Sequence, residues 1–137
     1  MSSTQRGIVA FVLVASLAMG AVAYASSYSS TFSYQRGLLG KVRYYDGQNI
    51  RASLTPKSNP IQTSYLRLYR VTYLIDGTAI YRTVAQPTFN SSTTGATVVR
   101  SYPGVGKGNY AFEFEKTTWA QKNSGVWVTG NINMYNY

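Results

Sequence analysis

Glu113 and Glu115 form the one close pair of carboxylates in this sequence, two positions apart in the run from Gly108 to Lys116. On a strand such a pair stands roughly 7 Å apart on one face, a spacing that two-carboxylate hydrolysis could use. No third acid and no His stands near to tune them, so the plainer reading is a solvated strand face beside Lys116. Asp46 and Asp76 each precede a glycine, and turn chemistry accounts for both. The chain has no Cys and no His. That removes thiolate nucleophiles, Cys-ligated metals, the Ser-His-Asp arrangement and the commonest general base. No loop gathers the oxygen ligands that calcium requires. Gly104-Val105-Gly106-Lys107-Gly108 lacks the rest of a phosphate-loop pattern and leads into a strand, so it reads as a flexible hairpin loop. The expectation is a protein with no catalytic residues, no metal site and no cofactor.

A second set of residues points to binding. Tyr65, Arg67, Tyr69 and Tyr73 alternate along one segment, and Arg70 and Arg82 lie close by. Aromatic rings interleaved with guanidinium groups can stack on rings and pair with anions. The same pattern also describes one core layer with arginines snorkelling at its edge. We take Arg67, Tyr69, Arg70 and Arg82 as the candidate binding face. The chain carries 13 Lys+Arg against 4 Asp+Glu, a formal charge of +9 over 137 residues, so the expected partner is anionic.

The elements that must position these residues begin after residue 25. Met1 to Gly7 is polar with one charge at Arg6, Ile8 to Val22 is almost wholly apolar, and Ala23-Tyr24-Ala25 precedes Ser26. A charged start, an apolar run and an A-x-A end predict a signal peptide over residues 1–25, cleaved between Ala25 and Ser26. A retained membrane anchor is one alternative, since the run approaches the length needed to span a bilayer. Pilin-like processing at Arg6-Gly7 is another, although the serines after Ala25 break helical propensity at once. Export places the chain outside the cell or at its surface, which sets nucleic acid aside as a partner.

Residues 26–137 predict a single all-β domain. Tyr, Val and Thr are abundant and no helical stripe of useful length is present. Turn signals recur at Asp46-Gly47, Pro56 to Pro60, Asp76-Gly77, Pro87, Asn90 to Gly95, Pro103 to Gly108 and Asn123 to Gly125. That spacing predicts one antiparallel β-sandwich, Ig-like or jelly-roll-like, preceded by the apolar signal helix. A two-residue turn at Asp76-Gly77 would pair Tyr73 with Ile80, Val71 with Arg82 and Tyr69 with Val84. Both faces of that hairpin are substantially apolar, as in a central strand or one covered by another molecule. A three-residue loop at Asp46 to Gln48 would pair Ile50 with Tyr44 and Ala52 with Val42. Tyr110, Phe112 and Phe114 are expected in the core, and Val126 to Tyr135 forms the last strand.

G-x-Y-x-F-x-F (Gly108, Tyr110, Phe112, Phe114) followed by S-G-x-W-x-x-x-G (Ser124, Gly125, Trp127, Gly130) and a terminal Tyr resembles small Sec-exported β-sandwich proteins of Gram-positive bacteria. The segment from Ser124 to Tyr137 is also similar to lactococcin 972-type bacteriocins. The resemblance implies export and a sandwich, and it carries over no catalytic residue. The function expected is a secreted, non-enzymatic protein that binds an anionic cell-envelope polymer or membrane surface. A self-assembling subunit of an extracellular fibre or pilus, and a bacteriocin-like toxin, are the alternatives. Reversing the charge of Arg67, Arg70 and Arg82 together is expected to abolish retention on an anionic surface.

Overall fold

A computed structural model describes residues 26–137. The expected signal segment and its apolar helix lie outside the described residues, as does Ala25 at the expected cleavage site. The described residues form ten strands and one short helix: β1 (Ser27–Tyr34), β2 (Gly37–Leu39), β3 (Arg43–Tyr45), β4 (Ile50–Leu54), β5 (Thr63–Tyr73), β6 (Ala79–Ala85), β7 (Thr88–Asn90), β8 (Val98–Tyr102), β9 (Gly108–Lys116), α1 (Trp119–Lys122) and β10 (Val128–Asn136). One antiparallel sheet runs β1-β10-β4-β8. The other runs β2-β9-β5-β6, with β3 also on β9 and β7 also on β5. The two sheets share one core, so the expectation of a sandwich-like all-β domain is met.

Strict alternation builds that core. In β9, Tyr110, Phe112 and Phe114 are buried and face Phe32 and Tyr34 of β1 and Tyr102 of β8. In β4, Ile50, Ala52 and Leu54 are buried with Arg51 and Ser53 between them. The tyrosines in the core bring hydroxyls that need partners. Tyr102 donates to the Leu66 carbonyl at 2.7 Å, and the Tyr34 hydroxyl sits 2.8 Å from Ser64 Oγ. Each of these bonds joins one sheet to the other.

Three sequence expectations change. The segment around Asp46 to Gln48 is not a hairpin. It is a corner where the chain leaves one sheet for the other, because Tyr45 is buried on β9 while Ile50 is buried between β10 and β8. The β5–β6 hairpin does not close over two residues. Leu74 N–H donates to the Thr78 carbonyl and Gly77 N–H to the Leu74 carbonyl, both at 2.9 Å. Ile75, Asp76 and Gly77 thus make a three-residue loop, with Gly77 left-handed at φ 88°. The register slips by one residue, so Arg70 rather than Val71 faces Arg82, and Tyr69 faces Thr83. Within this hairpin β5 is central, but β6 is an edge strand with no fully buried residue.

Lys116 is the third change. It follows the parity of Phe112 and Phe114 and is fully buried, not on the solvated face. Its ammonium donates to the carbonyls of Val126 (2.7 Å) and Gln121 (3.2 Å) and to Ser124 Oγ (3.4 Å). Burial lowers its pKa. The loop after α1 is thereby folded over the end of β9.

Gly130 is where a side chain cannot be admitted. A Cβ there would stand 2.2 Å from the Thr55 carbonyl oxygen and 2.8 Å from the Phe32 ring. Gly130→Ala should cost about 3 kcal/mol of stability, the upper end for overpacking, because backbone must shift. Urea denaturation measures it, and a loss below about 0.5 kcal/mol would contradict the contact.

Burial also raises the hydroxyl pKa of Tyr34, Tyr45 and Tyr102. A raised folded pKa means full stability below the unfolded value of 10.0 and a loss as pH climbs above it. The denaturation midpoint should therefore fall between about pH 9 and pH 11, and tyrosinate absorbance should show a late fraction that ionises only with unfolding. A single titration of every tyrosine in the folded protein would contradict this.

Candidate functional site

The expected basic–aromatic face is divided between two sides of the six-stranded sheet. β5 and β9 pair without a break, setting Tyr65 opposite Glu115, Arg67 opposite Glu113 and Leu68 opposite Phe112. Tyr65, Arg67 and Tyr69 consequently share the outer face with both glutamates, while Leu66 and Leu68 point into the core. Arg67 is the centre of a network. Its Nη1 donates to Glu113 Oε1 at 2.5 Å and to Glu115 Oε1 at 3.0 Å, and its Nε donates to Gln86 Oε1 at 3.0 Å. The Tyr69 hydroxyl donates to Glu113 at 2.8 Å, and Lys122 Nζ to Glu115 Oε2 at 2.8 Å. The guanidinium lies 5.2 Å from the Tyr65 ring centre.

That geometry settles what Arg67 can do chemically. Two carboxylates already neutralise it, and only 13% of its side chain is exposed. It is a cross-strand pair that fixes register. Lys122 first and Arg67 second hold the Glu115 carboxyl below its usual range. A shallow cavity of about 290 Å³ opens beside the glutamates, lined also by Arg36, Leu39 and Lys122.

Arg70 is committed as well. It lies on the inner side of β5 beyond the end of the core, 5.4 Å over the Tyr110 ring. It donates to the carbonyls of Val105 (3.1 Å) and Lys107 (3.0 Å) and to the Tyr110 hydroxyl (2.8 Å). The glycine-rich loop from Gly104 to Gly108 is thus held by a guanidinium. Of the four residues singled out, Arg82 alone is both basic and free. It is exposed on the edge strand β6.

Sequence reasoning passed over the cations that are available. Among the described residues, carboxylates pair only with Arg67 and Lys122. Arg36, Lys41, Lys57, Arg82 and Lys107 are all exposed with no carboxylate partner. Their signal is visible in the string as basic residues outside the Glu113-to-Glu115 strand and its neighbour β5. It was obscured because Arg67 and Arg70 sit among aromatic rings. Two exposed tryptophans, Trp119 and Trp127, and the hairpin tip of Tyr73, Leu74 and Ile75 add exposed apolar surface. No helix among the described residues is long and apolar enough to cross a membrane, and none of them forms a group of three or more metal-ligating side chains.

No family model matches the chain, and no curated protein matches it. Among solved structures it is similar to the N-terminal CBM22-1-GH10 modules of Clostridium thermocellum endo-1,4-beta-D-xylanase 10B complexed with xylohexaose. There the identity is 10% and the TM-score 0.45, over 82% of this chain and 26% of that one. It is also similar to the structure of infectious bursal disease virus Gx strain, at 16% identity and a TM-score of 0.37, over 84% of this chain and 35% of that one. The chain thus spans about a quarter of the first structure's length and about a third of the second's.

Replacing Arg67 with Met should cost about 2 kcal/mol at neutral pH, the scale for losing hydrogen bonds to charged groups. Glu115 has a lowered carboxyl, so its contribution is present above the ordinary value of 4.5 and is lost as pH falls through the lowered one. The substituted protein should accordingly lose less stability on acidification than the parent. Urea midpoints at neutral and acid pH test both, and parallel acid losses would refute the pairing.

Proposed function

We propose that this chain is an exported, non-enzymatic β-sandwich protein that docks on an anionic surface outside the cell. Lipid headgroups and acidic envelope polymers share the required chemistry. The observation that carries the reading is the set of five exposed cations with no carboxylate partner, on a chain of formal charge +9. Near an anionic surface each such residue contributes about 1 kcal/mol, within a Debye length. The surface is basic on several sides, so contact is driven by field more than by a shaped pocket. Arg82 remains in the proposed contact set; Arg67 and Arg70 leave it, because reversing either would break an internal network before any binding was measured. The strand order β1-β10-β4-β8 over β2-β9-β5-β6 further supports the jelly-roll variety of sandwich over the Ig-like one.

A second reading, a fibre subunit, is favoured by the β5–β6 hairpin. β6 has an unpaired edge, exposes Ile80, Tyr81 and Val84, and carries one charge and no proline. Such an edge invites another strand.

The triple variant Lys57→Glu, Arg82→Glu and Lys107→Glu separates these readings, since none of the three side chains makes a hydrogen bond among the described residues. Retention on phosphatidylglycerol vesicles at low salt should drop at least tenfold with an unchanged melting temperature. Unchanged retention sinks the anionic-surface reading. Negative-stain images of the parent protein in the same buffer should show monomers; ordered filaments would support the fibre.

A further inference from the structure

The β5–β6 hairpin runs past the rest of its sheet. β5 has β9 beside it only as far as Val71, which pairs with Asn109, while β5 and β6 stay paired out to Tyr73 and Ala79. Tyr73 to Ala79 therefore stand out as a two-stranded ribbon, its apex roughly 10 Å beyond the start of β9 at ~3.4 Å per residue. Tyr73 and Leu74 are half exposed, Ile80 nearly so, and Ile75 at the apex is fully exposed. A bare two-stranded ribbon is marginal in water, so these apolar side chains do nothing for the fold. They are nonetheless held in place. Besides the two backbone bonds that close the loop, Asp76 Oδ1 accepts from Thr78 N–H at 2.9 Å. Polarity is graded along the ribbon. Ile80 pairs with Thr72, and two positions further back Arg82 pairs with Arg70. Side chains two apart on a strand share a face, so the exposed Arg82 stands roughly 7 Å behind Ile80. Lys107, also exposed, is tied in beside them, because Arg70 Nη2 donates to its carbonyl at 3.0 Å.

We propose that this hairpin tip inserts into an anionic lipid bilayer, with Leu74 and Ile75 at the acyl boundary, Tyr73 at headgroup level, and Arg82 and Lys107 on the lipid phosphates. The proposal rests on the anionic-surface reading above and narrows the surface to lipid. An acidic polymer would satisfy the two cations and leave the apolar apex in water. A bilayer satisfies both, since its apolar layer lies directly beneath its charged one. Tyrosine suits that boundary, with an apolar ring and a hydroxyl that wants water. A second copy of the chain fits this end less well. Arg82 is the middle residue of β6, so two β6 edges pairing in full antiparallel register would set it against itself. Asp76 is the one acid between Thr72 and Arg82. The hydrogen bond from Thr78 lowers its carboxyl pKa, so it stays ionised and limits the depth of insertion to the headgroup layer.

The absence of Cys supplies the readout. Ile75→Cys takes a single environment-sensitive fluorophore, and Thr93→Cys, in the exposed loop before β8, carries the reference label. On phosphatidylglycerol vesicles the emission at position 75 should move to the blue and be quenched by nitroxide-bearing acyl chains, while the label at position 93 does neither. In unlabelled protein, Leu74→Ser with Ile75→Ser should weaken retention about tenfold at about 0.5 M salt, where diffuse attraction is screened, with an unchanged melting temperature. Asp76→Asn should tighten retention about fivefold, the effect of one charge near an anionic surface. Vesicle binding with the position-75 label still in water, or full high-salt retention in the double serine variant, overturns the insertion and leaves the anionic-surface reading standing. A parent protein that does not bind the vesicles at low salt overturns both. A blue shift that grows with protein concentration in the absence of vesicles gives the tip to a second copy and likewise overturns the proposal.

Discussion

Phe114 is the contact on which the two layers depend. Its ring stacks on Phe32 at 4.5 Å and on Tyr34 at 5.1 Å, and takes the edge of Phe89 at 6.1 Å. Two strands, one from each sheet, therefore converge on one side chain of β9. Stacked and edge-on rings contribute beyond their buried area, and here they do so across the sheet-to-sheet gap. The arrangement needs room on the other side of Phe32, and Gly130, its register partner, provides it. The glycine in the last strand and the Phe32–Phe114 stack are thus parts of one packing solution, although residues 117–127 of loop and helix separate β9 from β10 in the chain.

Positive charge in this protein serves three different ends. Arg67 is spent within the sheet, pinning β5 to β9 through two glutamates. Arg70 and Lys116 are spent on backbone carbonyls, one holding the loop before β9 and the other the loop after it. In both cases a cation does what a chain without disulfides must do by other means, tying irregular segments to a strand. Of the remaining exposed cations, Arg36 holds the Asn123 side chain at 2.6 Å, while Lys41, Lys57, Arg82 and Lys107 make no side-chain hydrogen bond among the described residues. Their surplus over four acids is the part of the composition that looks outward.

The alternation in β9 was legible because one face is wholly aromatic and the other carries the acids. Burial of Tyr110, Phe112 and Phe114 follows from pattern alone. The register of the β5–β6 hairpin was not legible, because Asp76-Gly77 suits a two-residue turn as well as the end of a three-residue one. Only the backbone bond between Leu74 and Thr78 decides, and it moves Arg82 to the other side of the sheet. The corner at Asp46 was hidden for a related reason. A turn between two β-rich segments reads alike whether the second strand pairs with the first or crosses to the opposite layer. For the candidate site, the string placed arginines beside tyrosines but could not show that Glu113 and Glu115 come from across the sheet to neutralise Arg67.

The pairing of β1 with β10 has a mechanical consequence. The two strands run antiparallel, and Ser26 and Asn136 exchange hydrogen bonds at one end of the ladder. Tension applied between Ser26 and Tyr137 would pull both strands from that same end. The cross-strand bonds lie perpendicular to the strands, so they would be loaded one after another and not together. The domain would peel open like a zip at low force. Load-bearing filaments built from it would have to carry stress through other strands, leaving this seam slack.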